Sequence, residues 1–106
     1  EEEGYVMYDV EHFIKKFEAI PDDEWTTKSF HRAYSGKSCA LGHCGVRIGE
    51  RWPDEAKALN NLWLSIPGKS VTGCNDGYQE RYQQETPKAR ILAALKDIKE
   101  KQCLEN

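Results

Sequence analysis

Two apolar stripes bounded by prolines limit what this chain can fold into. Near the C-terminus, Thr86 caps and Pro87 opens a segment in which Ile91, Ala94, Leu95 and Ile98 recur on one helical face. Lys96, Lys99 and Lys101 stand toward the negative end of that helix. Near the N-terminus, Val10, Phe13, Ile14 and Phe17 fall at i, i+3, i+4 and i+7 behind Asp9, a good N-cap. Pro21 pushes Ile20 toward an extended backbone and ends the pattern. The spacing predicts a first helix over residues 10–19 and a last helix from residue 87. Each has one apolar face that must be buried against another element.

Between them the helical signal is weaker. "CALGHCGVRIG", with Ser38 as N-cap, reads as a second helix. The third starts at "WPDEA", where Pro53 suits the first helical position and Asp54 and Glu55 suit the positive end of the dipole. Leu59, Leu62, Trp63 and Ile66 form its stripe, and Pro67-Gly68 ends it. Residues 21–37 form one long connection, with room for a helical turn at 27–32. Residues 68–85 form a second, around the Asp76-Gly77 turn signal. Tyr78 and Tyr82 are four apart, so "GYQERYQQ" suggests a short helix, and "KSVTGC" is the best strand candidate. The expectation is an all-α, small single-domain bundle of about four helices with two long connections. The domain spans residues 9–101, with a flexible or non-native N-terminus over 1–8 and a C-terminal tail over 102–106. Met7 suits a native start.

The 106 residues match one domain, and 39% hydrophobic with 31% charged residues is a globular composition. A net charge of −3 argues against a dedicated nucleic-acid binder. The sequence shows no run of about 18 apolar residues and no basic-then-apolar leader pattern, which gives a cytoplasmic reading without membrane contact. Cys39, Cys44, Cys74 and Cys103 are too sparse for a disulfide scaffold and read as reduced thiols. "GKS" occurs at Gly36–Ser38 and Gly68–Ser70, but the preceding glycine of a phosphate loop is replaced by His31 and Trp63. No cofactor is implied.

"SCALGHCG" has three readings. As a metal site, Cys39, His43, Cys44 and Cys74 are the candidate ligands. On one regular helix, however, Cys39 and Cys44 point about 140° apart, and no second short-spaced pair exists. As a catalytic site, Cys39 at a helix N-terminus is the nucleophile, His43 one turn on is the base, and Asn75 or Asp76 orients it. As a packing seam, Ala40, Gly42, Gly45, Gly49 and the cysteines let neighbouring helices approach the backbone. Three glycines cost roughly 1 kcal/mol each in helix propensity, which a close approach would justify. The seam explains most of the stretch. Asn75-Asp76-Gly77 has a plain reading too, as cap and turn before the tyrosine-bearing segment. His12 is expected to face solvent.

"CALG" opening a small-residue helix, then "ND", then "TPKARILAALKDI" resembles a loose group of small bacterial and bacteriophage proteins of unknown function. The resemblance implies a cytoplasmic protein of phage or mobile-element origin. It carries no catalytic residues, and draws attention to Cys39, Asn75 and Asp76. The "GHC" segment departs from that pattern.

The leading expectation is a non-enzymatic interaction or accessory protein with a protein partner. Trp25, His31, Tyr34, Asn75, Asp76, Tyr78 and Tyr82, on the two connections, form its candidate binding surface, since partly exposed aromatics suit hot-spot contacts. One alternative is a cysteine-dependent enzyme using Cys39 and His43 with Asp76. Another is a small-ligand or nucleotide-binding domain in the cleft between the connections, with Asp76 and the tyrosines on the ligand. A helix-turn-helix role finds only Arg47 and Arg51 near the second helix.

Overall fold

A computed structural model describes residues 8–65, 70–79 and 81–105. The chain is mostly helical: α1 (Val10–Glu18), α2 (Ala40–His43), α3 (Asp54–Leu62), α4 (Val71–Asp76) and α5 (Pro87–Glu105). A two-stranded antiparallel hairpin, β1 (His31–Arg32) and β2 (Lys37–Ser38), adds a minor β element. Short 3-10 turns occupy Asp22–Glu24 and Trp63–Ser65.

α1 forms where its stripe and cap place it. Asp9 accepts a hydrogen bond from His12 N at 2.9 Å, and Val10, Phe13, Ile14 and Phe17 are buried. α5 buries Ile91, Ala94, Leu95 and Ile98, and Thr86 Oγ1 accepts from Ala89 N at 3.1 Å. α5 packs against α1, α2 and α4 and is the spine of the core. Burying each large apolar side chain contributes about 1.5–3 kcal/mol, so α1 and α5 are stable together rather than alone. Ion pairs from Lys96 to Glu18 and Lys99 to Glu11 line the same α1–α5 seam. The helix continues to Glu105, through residues 102–105 assigned above to a tail.

α3 starts one residue later than expected, with Pro53 as its cap, and Ala56, Leu59 and Trp63 line its buried side. Leu62 is half-buried, and Ile66, Pro67 and Gly68 lie outside the described residues, as does the structure of residues 1–7. His12 does not face solvent freely. Its Nε2 lies 2.6 Å from Glu55 Oε2, and Lys16 Nζ lies 2.9 Å from Glu55 Oε1, so this trio joins α1 to α3. Burial alone raises the Glu55 pKa. The hydrogen bonds from His12 and Lys16 outweigh that, and hold the carboxyl below its ordinary range.

The second helix is far shorter than its expected span. α2 ends after four residues, and Cys39, not Ser38, is its N-cap. Gly45 takes φ +98°, with Gly45 N bonded to Gly42 O at 3.0 Å and Val46 N to Leu41 O at 3.1 Å. That paired pattern is a Schellman stop, which needs a left-handed residue that glycine adopts most readily. "KSVTGC" is likewise not a strand. Ser70 Oγ accepts from Gly73 N at 3.0 Å and starts α4, whose cap and packing override its β-branched Val71 and Thr72. Residues 78, 79, 81 and 82 are not helical, so the expected tyrosine-bearing helix is absent among the described residues. The turn expected within 27–32 is replaced by the hairpin, with the 3-10 turn lying earlier at Asp22–Glu24.

Candidate functional site

The SCALGHC stretch and the Asn75-Asp76 pair meet in space. Asn75, the penultimate residue of α4, has no exposed surface. Its Oδ1 accepts from Ala40 N at 3.1 Å, satisfying the first free N–H of α2 from another part of the chain. Its Nδ2 donates to Thr26 O at 2.9 Å and to Asp76 Oδ1 at 3.0 Å. Its carbonyl accepts from Arg90 Nε at 3.2 Å and Nη2 at 2.8 Å. The buried Arg90 guanidinium also donates to Gln84 O at 2.7 Å and lies against Gly77. Arg90 therefore places a cation at the carbonyl end of α4, where the helix dipole favours one. Gly77, at φ +88°, ends α4 with the same paired motif as Gly45, through Tyr78 N to Gly73 O at 2.9 Å and Gly77 N to Cys74 O at 3.2 Å. Asn75 and Asp76 thus clamp α2 and the 26–28 loop from the end of α4, rather than capping a following helix.

The seam itself is tight. A Cβ at Gly42 would sit 1.7 Å from the carbonyl oxygen of Phe30, so the segment leading into β1 crosses directly over α2. Cys39 N donates to that same Phe30 oxygen at 3.1 Å. Gly42 does allow a close backbone approach, but by the Phe30 carbonyl of a non-helical segment and not by the neighbouring helix expected above. Gly45 and Gly49 serve instead as left-handed turn residues.

The thiols of Cys39, Cys44 and Cys74 are buried. Burial pushes the Cys39 thiol up, although backbone N–H groups of Gly42 and Leu41 pull it down. Burial pushes Cys44 and Cys74 up to about 12. Cys74 Sγ donates to Arg90 O at 3.6 Å. His43 is held neutral chiefly by desolvation, with its ring bonded to the Glu24 carbonyl and its Nε2 buried without a partner. Trp25 meets the His43 ring edge-on at 4.7 Å and Phe17 at 5.3 Å. Protonated thiols are poor nucleophiles and metal ligands. Among the described residues, no three His, Cys, Asp or Glu side chains converge as a metal-binding group. Cys39, His43, Cys44 and Cys74 are therefore not assembled as a ligand set there.

The candidate binding residues divide in two. Trp25 is 5% exposed and Tyr82 is 4% exposed, so both belong to the core rather than to a surface patch. Burial, and then the hydrogen bond from its hydroxyl to Asp97 Oδ2 at 3.0 Å, push Tyr82 up to about 12. Asn75 is buried, and Asp76 has both oxygens engaged, Oδ1 by Asn75 and Oδ2 by Lys28 N at 3.1 Å. His31 is half-buried with Nδ1 2.8 Å from Ser38 Oγ. Tyr34, at 103%, and Tyr78, at 68%, stand out in solvent. Tyr34 sits on the hairpin loop and Tyr78 lies two residues beyond Asp76. The 26–28 loop joins the two regions. Asp76 holds Lys28 N, while Arg32 of β1 donates to Thr26 Oγ1 at 2.6 Å and to Thr27 O at 3.0 Å.

The sequence reading passed over Lys28, Arg32, Lys37 and Arg90. Three of these left a signal: no acidic residue occurs between Glu24 and Glu50, while Lys28, Arg32, Lys37 and Arg47 do. Arg90 sits within the last helix's pattern, and only the fold reveals its role. No helix among the described residues is long and apolar enough to cross a membrane. No family model, curated protein or solved structure matches the chain.

Proposed function

We propose that this protein is a small, non-enzymatic binding module whose contact face is the 26–37 segment together with the end of α4. The carrying observation is a 26–28 loop held by Asn75, Asp76 and Arg32, with exposed tyrosines on both segments it joins, Tyr34 on the hairpin loop and Tyr78 just past α4. Monomeric domains expose single apolar side chains routinely. Here both stand on segments tied to one preformed loop, and tyrosine is enriched among residues that dominate protein interfaces. Rigid presentation lowers the ordering cost of binding. The buried, protonated thiols support packing over thiol chemistry. Three free cysteines favour a reducing, cytoplasmic setting. The mobile-element origin implied by the resemblance stands within the same proposal.

A photo-crosslinking amino acid at position 34 or 78 tests the face. With bacterial lysate, both positions should yield the same discrete adduct, and a probe at exposed Leu64 should not. With the probe at position 34, Tyr78→Ala should weaken that adduct, and with the probe at 78, Tyr34→Ala should do the same, each shifting stability by no more than about 0.5 kcal/mol, as expected for surface sites. Adducts that are absent, or identical at all three probe positions, would remove the proposed face.

A further inference from the structure

We infer that this face recognises an acidic polypeptide segment, an inference that rests on the binding-module reading and names the chemistry of its partner. Charge is segregated along the chain. The stretch between Glu24 and Glu50 contributes +4 to a chain of net −3, which leaves −7 elsewhere. The ion pairs found among the described residues join His12 and Lys16 to Glu55, Arg81 to Asp97, Lys96 to Glu18 and Lys99 to Glu11. None of these uses Lys28, Arg32 or Lys37.

All three side chains are exposed and lie on or beside the hairpin. The Arg32 guanidinium is anchored by two neutral oxygens, Thr26 Oγ1 and Thr27 O. Those bonds fix its position and leave its charge uncompensated. Lys28 is the one non-glycine with positive φ among the described residues, at 65°. Its N–H is locked to Asp76 Oδ2, so a strained backbone is held in place before any partner arrives. Asp76 keeps its charge while bonded to Lys28 N and Asn75 Nδ2, and the acidic Asp22–Glu24 turn lies against β2, but among the described residues none of these carboxylates forms an ion pair with Lys28, Arg32 or Lys37. His31 is turned to Ser38. Tyr34, fully exposed between Arg32 and Lys37, adds an aromatic surface to the cationic one.

The occupant is a polyanion of limited extent. A nucleic-acid strand carries regular, dense charge, and the chain as a whole, at net −3, repels it. An acidic protein segment needs to match only the cationic patch, and charge complementarity then selects it and speeds its capture.

The test is an NMR titration of the isotopically labelled full chain with a twelve-residue oligoglutamate, and separately with a twelve-nucleotide oligothymidine. Oligoglutamate should shift the amides of 26–37 and bind at least tenfold more weakly after Lys37→Glu or Lys28→Glu. Raising the salt should weaken it further. Arg32→Glu should act alike, and the two lysine variants keep the test valid should loss of the Thr26 and Thr27 contacts unfold the loop. Absent shifts, shifts mapping elsewhere, indifference to both lysine reversals, or tighter binding of oligothymidine would each overturn the acidic-segment assignment. The Tyr34 and Tyr78 crosslinks report separately on the contact face. Crosslinks that persist in Lys37→Glu would leave that face standing while removing its acidic partner.

Discussion

Replacing Asn75 with alanine should be among the most damaging single changes in this protein. The side chain is fully buried and closes three hydrogen bonds. Truncation leaves Ala40 N, at a buried site, without its acceptor, and Thr26 O, at a part-buried one, without its donor. Each buried polar group so orphaned costs about 1–3 kcal/mol. Asp76 is partly accessible and regains water. The Thr26 carbonyl falls at the low end of that range, which puts the total at roughly 2–5 kcal/mol. Against a typical domain stability of about 5–15 kcal/mol this is a large fraction. At about 4–8 °C per kcal/mol for a domain of this size, the melting temperature should fall by roughly 8–40 °C. Urea unfolding followed by circular dichroism measures it, with a lower midpoint at unchanged slope. Asn75→Asp keeps an acceptor for Ala40 N but loses the donor to Thr26 and sets a second carboxylate beside Asp76. It should therefore be destabilised at neutral pH and recover in part when acidified. An Asn75→Ala protein within about 0.5 kcal/mol of the parent, the range of ordinary surface changes, would refute the clamp.

Gly42→Ala should be worse than its small size suggests, since the new methyl would meet the Phe30 carbonyl at 1.7 Å and must displace the hairpin. Thermal melting should show a loss of at least about 1–3 kcal/mol, the range for overpacking, while Gly36→Ala, with open space around it, should lose only what its φ of +77° demands. Stability should also fall on acidification in two windows. His43 is neutral in the fold, so its contribution is complete above its ordinary value of 6.5 and is lost as pH falls from there through its lowered folded value. Glu55 acts lower, its contribution being complete above 4.5 and lost as pH falls through the depressed folded value. Urea titrations at a series of pH values should show both slopes, with His43→Phe flattening the first and Glu55→Gln the second. A parent curve that is flat between pH 5 and 6.5 would contradict the buried neutral histidine.

α1 and α5 were legible because their signals are local. A capping side chain, an apolar stripe and a proline fix each within one segment. α2 was misjudged in length because its end depends on Gly45 entering the left-handed region, which a small-residue pattern does not distinguish from close packing. Gly42 and Gly45 look alike in sequence, yet one yields to a crossing carbonyl and the other turns the chain. The hairpin was invisible because it has only two residues per strand and is held by backbone bonds, Cys39 N to Phe30 O and Thr26 N to Ser38 O, that leave no side-chain pattern. Aromatic content alone does not separate surface from core. Trp25 is held down by Phe17 and His43, whereas Tyr34 stands free. The importance of Asn75 was signalled by its place in the "ND" turn, but its partners, Ala40 and Thr26, lie far away in sequence. His12 looked solvent-facing because Glu55, its partner, belongs to another helix.

The account rests on Ser38–Gly45 being a packed seam and not a reactive one, and the alkylation rate of Cys39 tests that most directly. Iodoacetamide labelling from pH 6 to 10, resolved by peptide mass spectrometry, compares the native chain with the same chain unfolded in urea. A buried thiol pushed above its ordinary pKa should react more slowly in the native chain at every pH, with a rate set by opening of the fold. A native Cys39 that reacts faster than its unfolded counterpart at pH 6–7 would reveal an activated thiolate, contradict the seam and return Cys39 and His43 to the chemistry of the site.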